Sequence, residues 1–144
     1  MNDKNKSFYN RKARFEYEIK ESFEAGIVLT GLEIKAIKEG RVDISSSYVK
    51  LLNSELFWLG ASILIPTGDT QRTRKLLAHK EQLRSLIGKV QEKGMTLIPL
   101  KLYLKHGIAK LEVGLGKGKK KYDKREAIKK RDQEREVEQK LKNF

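Results

Sequence analysis

The chain contains no cysteine, and that absence removes disulfides, thiol nucleophiles, iron–sulfur clusters and cysteine-based zinc sites together. Two histidines, His79 and His106, are too few for a histidine-rich metal cage, so no metal or other cofactor is expected. No apolar run approaches the roughly 18 residues that a spanning helix needs. The polar stretch from Met1 to Asn10 lacks the apolar segment of a secretory signal, so a cytoplasmic protein with no membrane partner is expected. What is abundant is positive charge: 32 Lys and Arg against 19 Asp and Glu leave +13 over 144 residues. A field of that sign in a soluble chain points first to a nucleic acid.

The distribution of that charge divides the chain. Residues 1–116 carry 20 basic and 13 acidic side chains, residues 117–131 carry 9 and 2, and residues 132–144 carry 3 and 4. Apolar residues recur in short, turn-bounded groups from Phe15 to Leu115 and then become sparse. A segment so poor in apolar surface cannot offset its own ordering entropy. The expected organisation is a basic N-terminal arm (1–14), a compact core (15–116) and a basic C-terminal tail (117–144), disordered when free.

Within the core, Phe15-Glu16-Tyr17-Glu18-Ile19 alternates at period two, the pattern of a strand with one face buried. Phe23 to Leu29 continues or turns it. Thr30 and Glu33 form a capping-box pair, and Gly40 follows as a stop, predicting a helix over 31–39. Residues 47–52 and 56–59 read as a hairpin around Asn53-Ser54, and 61–65 as a strand ended by Pro66. Leu83, Leu86, Ile87 and Val90 keep helical spacing between His79 and Gly94. Residues 96–104 and 108–115 form a second hairpin around His106-Gly107. The fold class is therefore mainly β with short helices, a small antiparallel β-barrel of oligonucleotide-binding (OB) type.

Several motifs invite chemistry. Gly114-Leu115-Gly116-Lys117-Gly118-Lys119-Lys120 looks like a phosphate loop, but Val113 stands where the first glycine belongs and no hydroxyl follows Lys119. Its three glycines read instead as a flexible hinge between core and tail. Glu16 and Glu18 share a strand face, yet nothing supplies a nucleophile or a histidine partner, so they read as solvated charges and no catalytic residue is assigned. Of Tyr48, Phe57 and Trp58 on the first hairpin, alternation allows only one of Phe57 and Trp58 in the core. His79 reads as a helix-start residue and His106 as a turn residue. Asn10-Arg11-Lys12-Ala13-Arg14 offers a phosphate-contacting arm, and Arg72, Arg74 and Lys75 gather beyond the turn-rich stretch 67–73. In the tail, Tyr122 sits alone among Lys119, Lys120, Lys121, Lys124 and Arg125, a combination suited to stacking on a base while cations hold the backbone.

Taken in order, Asn10 to Arg14, Phe23 to Ile27, Thr30 to Lys35, Arg72 to Leu77 and Gly118 to Arg125 resemble the SsrA-binding protein (small protein B) family of bacteria. The resemblance runs from about Asn10 to Leu141. It implies a partner of transfer-messenger RNA in trans-translation, the rescue of stalled ribosomes with tagging of the nascent peptide. It further implies that the barrel holds the tRNA-like domain of that RNA, and that the tail enters the empty messenger channel near the decoding centre and becomes helical there. The implied partners are transfer-messenger RNA, the ribosome through its small-subunit decoding centre and 16S rRNA, and elongation factor Tu indirectly through the RNA. By position, Asn10, Arg11, Glu24, Leu77 and Lys110 fall in the RNA-binding set, to which the cations Lys12, Arg14, Arg74 and Lys75 are added. Lys119, Lys120, Tyr122, Asp123, Lys124 and Arg125 fall in the ribosome-facing set. The loop Gly68 to Gln71 is shorter than family members often have, and Gln133 stands where many carry Trp. The expected function is that of a non-enzymatic RNA-binding adaptor; the alternative is a structural ribosomal or rRNA-binding protein.

Overall fold

The computed structural model describes residues 6–119 and five helical positions beyond them, Ile128, Lys129, Arg131, Asp132 and Arg135. Within residues 6–119, nine strands and three short helices follow in the order β1 (Ser7–Tyr9), α1 (Arg11–Glu16), β2 (Tyr17–Ile27), α2 (Gly31–Lys38), β3 (Val42–Asp43), β4 (Tyr48–Leu52), β5 (Glu55–Leu59), β6 (Ser62–Ile63), β7 (Arg74–Leu77), α3 (Lys80–Lys89), β8 (Met95–Lys105) and β9 (Ile108–Gly118). The main sheet runs β1-β8-β4-β5-β7-β2-β9, and β9 returns to pair with β8, so the antiparallel sheet closes on itself as a barrel. Closure removes the free edges that an open sheet would present.

Both hairpins form where their turn residues allow them. Asn53 and Ser54 have φ of 50° and 63°, and His106 and Gly107 have 53° and 78°, the left-handed pairs that match the twist of two-residue hairpins. Helix α2 opens on the capping box: Thr30 Oγ1 accepts from Glu33 N–H, and Glu33 Oε1 accepts from Thr30 N–H at 2.9 Å. His79 is the N-cap of α3 and Gly94, at φ 81°, follows its last turn. Ala36 and Ile37 of α2 and Leu86 of α3 join Trp58, Leu56, Leu76, Leu102 and Leu111 in one core. Trp58 is the buried member of its pair, and Phe57 is half-buried.

Four expectations about the ends of the core are corrected. The N-terminal arm is not outside the barrel: β1 pairs with β8, Tyr9 opposite Lys101, on the same edge of β8 where Val49 of β4 lies opposite Leu97. Phe15 and Glu16 belong to α1 rather than to the first strand, so Glu16 and Glu18 do not share a strand face. Strand β9 continues through Lys117 and Gly118, opposite Glu18 and Tyr17, so the sheet extends two residues beyond the expected boundary at 116. Strand β7 was not foreseen, because its four residues are too short for periodicity to register.

The fourth correction concerns the glycines. Gly114 and Gly116 are buried inside β9 and are not a hinge. A Cβ on Gly116 would lie 2.5 Å from the Glu18 carbonyl oxygen, and one on Gly114 would lie 2.9 Å from Leu100 Cδ1. The crowding has a cause in the register. Bulges between Ile19 and Glu21 in β2 and between Pro99 and Lys101 in β8 switch which side chains face inward. Tyr17, Ile19, Ile98 and Leu100 therefore pack with Ala13 of α1 in a second small cluster, while Phe23, Ala25, Leu97 and Leu102 serve the barrel core. Strand β9 passes close beneath that cluster and tolerates no side chain there. Gly116→Ala should cost about 1–3 kcal/mol by overpacking, whereas Gly118→Ala, with nothing within 4 Å of its added Cβ, should leave the urea midpoint unchanged.

Candidate nucleic-acid interface

The alternation of β7, β2, β9, β8 and β1 places a two-row lattice of side chains on the outer face of the barrel. In one row Glu24 lies opposite Glu112, Glu112 opposite Lys101, and Lys101 opposite Tyr9. In the next, Leu77 lies opposite Gly26, Gly26 opposite Lys110, and Lys110 opposite Tyr103. Glu24, Leu77 and Lys110, which are far apart in sequence, thus come together on one surface. Gly26 in the middle of the second row keeps that surface low, and Leu77 beside it is 53% exposed.

Side-chain contacts tie the rows together. Tyr103 donates its phenolic hydrogen to Glu24 Oε2, reaching across β9. Burial, reinforced by the hydrogen bond and charge of Glu24 and by the charge of Glu112, pushes the Tyr103 phenol well above its ordinary value. The phenol therefore stays protonated and donating. The Lys101 ammonium lies 4.8 Å from the centre of the Tyr103 ring and 5.6 Å from that of Tyr9, a cation held between two aromatic faces. Glu24 hence has the Tyr103 hydroxyl as its partner.

The remaining predicted residues occupy three places. Arg11 and Arg14 are exposed on α1 and, with Asn10, border the lattice at Lys101 and Glu112. Asn10 itself is buried: its Nδ2 donates to the Pro99 carbonyl at 2.9 Å, its backbone N–H donates to Leu100, and its Oδ1 has no partner. Lys12 points to the opposite side of α1, toward Ser45–Ser47 and Tyr48. Lys75 is exposed on β7, on the same outward side as Leu77, 3.3 Å from the Glu55 carboxylate. Lys119 anchors the start of the tail, its N–H donating to the Glu16 carbonyl and its Nζ to that of Arg14. Lys120, Tyr122, Asp123, Lys124 and Arg125 lie outside the described residues.

Arg74 is the correction within this set. Its side chain is fully buried, with Nε donating to Glu33 Oε2 at 2.6 Å, Nη1 to the Ala61 carbonyl at 2.9 Å and Nη2 to the Thr70 carbonyl at 3.0 Å. Its guanidinium carbon is 6.0 Å from the centre of the buried Trp58 ring. Each of its three nitrogens donates to a partner inside the protein, and the fully buried group is not offered to a phosphate. Alternation in β7 is the reason: Arg74 and Leu76 face inward, so Lys75 and Leu77 face outward. Arg72 completes the arrangement by donating from Nε to Glu33 Oε1 at 3.2 Å. Burial alone would raise the Glu33 carboxyl, but hydrogen bonds from Arg72, Thr30 and Arg74 and the Arg74 charge outweigh it and hold the group below its ordinary value.

Sequence reasoning missed Tyr9, Lys101, Tyr103 and Glu112. The signal was present as outward positions of the second hairpin, alternating with Leu102, Leu104 and Leu111, but β1 and the bulge near Leu100 had to be known before those positions could be aligned. Among the described residues no cluster of His, Asp and Glu could hold a metal ion, and no helix is long and apolar enough to cross a membrane.

A closed antiparallel barrel with an aromatic, cation-bordered outer face defines a β-barrel protein of the oligonucleotide-binding kind. Residues 7–143 match the model of the family described as SmpB protein. A protein named SsrA-binding protein from Leuconostoc mesenteroides is 50% identical, the alignment covering 99% of this chain and 97% of that one. Another SsrA-binding protein, from Trichormus variabilis, is 45% identical over the whole of both chains. A solved structure described as "tmRNA-SmpB: a journey to the center of the bacterial ribosome" superposes with a TM-score of 0.67 at 42% identity, covering 85% of this chain and 94% of that one. The chain belongs to the SmpB protein family.

Proposed function

We propose that this protein binds transfer-messenger RNA and acts with it on the ribosome in trans-translation. The observation that carries the reading is similarity along the whole chain, barrel and tail alike, to proteins named SsrA-binding. The outer face supports it chemically. Lys110, Lys101, Arg11 and Arg14 supply cations for phosphates, while Leu77, Tyr9 and Tyr103 supply flat or apolar surface for sugars and bases.

The tRNA-like domain of the RNA is assigned to that face. The basic segment Lys119 to Arg125 is assigned to the ribosome, in the messenger channel near the decoding centre, with Tyr122 stacking on a base. The segment's first residue, Lys119, is attached to α1 through the Arg14 and Glu16 carbonyls. Elongation factor Tu is met only through the RNA. The role is that of an adaptor without catalysis of its own, working in the cytoplasm.

The test is to purify the protein from its own cells and sequence the RNA that accompanies it. One dominant small RNA with a tRNA-like end is expected. Ribosomal RNA alone, at a constant ratio on all translating ribosomes, would instead identify a structural ribosomal protein.

A further inference from the structure

Beside the lattice lies a cavity of about 490 Å³ between β1, α1 and the β8–β9 hairpin, within the size range of small-ligand sites. Leu100 gives it an apolar wall, and Tyr9, 63% exposed, gives it an aromatic one. Arg11 and Arg14 stand along one border, three residues apart on a helix and so on one face. Glu112 stands on another. Among the described residues, neither guanidinium and not the Glu112 carboxylate makes a hydrogen bond or ion pair. Four charged groups of both signs thus border one space: Lys101 lies over the Tyr9 and Tyr103 rings, and Arg11, Arg14 and Glu112 make no pair with one another.

The charge of Glu112 is the informative part. It faces the like charge of Glu24 across β2 and β9, a placement that costs stability in a sheet. Tyr103 satisfies Glu24 but leaves Glu112 with acceptors only. A phosphate oxygen, itself an acceptor, finds its partners on Arg11 and Arg14 and none on Glu112. What an ionised carboxylate receives is an N–H or O–H donor, and the donor-bearing part of a nucleotide is the edge of its base. Guanine, with adjacent N–H donors on its pairing edge, matches the two carboxylate oxygens best.

We infer that this cavity takes one unpaired nucleotide of the bound RNA, its base stacked on Tyr9 and read at its donor edge by Glu112, its phosphates held by Arg11 and Arg14. The inference rests on the RNA-binding reading above and adds to it a base-selective site. The backbone-positioning role expected of the arm is thereby joined to a reading role, in residues outside the predicted set.

The full-length protein and the tRNA-like domain of transfer-messenger RNA serve for the test, with affinity measured at several salt concentrations. Tyr9→Leu should weaken binding about 10-fold and Tyr9→Phe should not, as loss of one stacked base requires. Glu112→Ala, which relieves the like-charge pair and so leaves folding intact, should weaken binding without changing the salt slope. Arg11→Ala should reduce that slope by about 0.7, the loss of one phosphate contact. Ultraviolet irradiation should cross-link Tyr9 to an unpaired guanosine, and inosine at that nucleotide should weaken binding to the wild type but not to Glu112→Ala. Wild-type affinity in both Tyr9→Leu and Glu112→Ala, or equal affinity of the wild type for guanosine and inosine RNA, overturns the site. If Lys110→Ala alone then weakens binding, the RNA-binding face stands without the cavity; a wild type that does not bind the RNA overturns the proposed function itself.

Discussion

Removing residues 120–144 is expected to abolish tagging of nascent peptides on stalled ribosomes while leaving affinity for transfer-messenger RNA unchanged. The cut is placed by the structure. Strand β9 runs to Gly118, and the Lys119 N–H closes a last hydrogen bond on the Glu16 carbonyl, so truncation after Lys119 spares every sheet hydrogen bond. A cut at 117 would remove two paired residues of β9 and mix a folding defect with a functional one. The deleted segment carries most of the dense positive charge, and none of the lattice residues lies in it. Tagging measured in a reconstituted translation system, beside RNA binding by the same variant, separates the two activities. A parallel loss of both would show that tail and barrel form a single RNA grip.

The second large effect is expected at Arg74. Replacing it with Ala leaves the buried Glu33 carboxylate with Arg72 as its one remaining cation, removes the arginine donor to the Ala61 carbonyl and leaves the Thr70 carbonyl only the Ile63 N–H, a loss that costs about 3–5 kcal/mol. Against a total stability of about 5–15 kcal/mol for a domain, that is enough to populate unfolded chains at growth temperature. Arg74→Lys should recover little, because a single ammonium cannot reach three acceptors from one position. Urea unfolding monitored by Trp58 fluorescence measures the loss, and Trp58 lies beside the substituted side chain. RNA affinity of the folded fraction should be unaffected, contrary to what a phosphate-contacting Arg74 would show.

The same group makes a pH prediction with a definite sign. Glu33 has a lowered carboxyl value in the folded state, so its contribution to stability is complete above the ordinary glutamate range and is lost as pH falls through the lowered value. The urea midpoint of the wild type should therefore fall on acidification below about pH 4.5, the ordinary value of a free glutamate. In Glu33→Gln that part of the dependence should be absent.

Much of the architecture is local and was legible without coordinates. The capping box at Thr30 and Glu33, the two-residue turns at Asn53-Ser54 and His106-Gly107, and the helical spacing from Leu83 to Val90 depend on near neighbours alone. The mainly β class and the barrel followed from them, as did His79 at a helix start and the limit of one core residue in the pair Phe57-Trp58, of which the structure buries Trp58. Charge partition likewise depends on sequence order alone, and it separated a moderately basic body from a dense basic segment.

Tertiary structure decided what lies across space. Arg74 and Lys75 are neighbours in a run of cations, and only the alternation of β7 against a buried Glu33 turns one inward as an ion-pair partner and the other toward solvent. Gly114 and Gly116 read as a hinge until β2 is laid beside β9, where a Cβ would strike the Glu18 carbonyl or Leu100. Tyr9, Lys101, Tyr103 and Glu112 are ordinary strand residues until the bulge near Leu100 sets their register. Composition and order determined that this protein has a basic partner-binding body and tail; strand pairing decided which charges are offered and which are consumed within, because a side chain's face is set by register and register is a property of two strands at once.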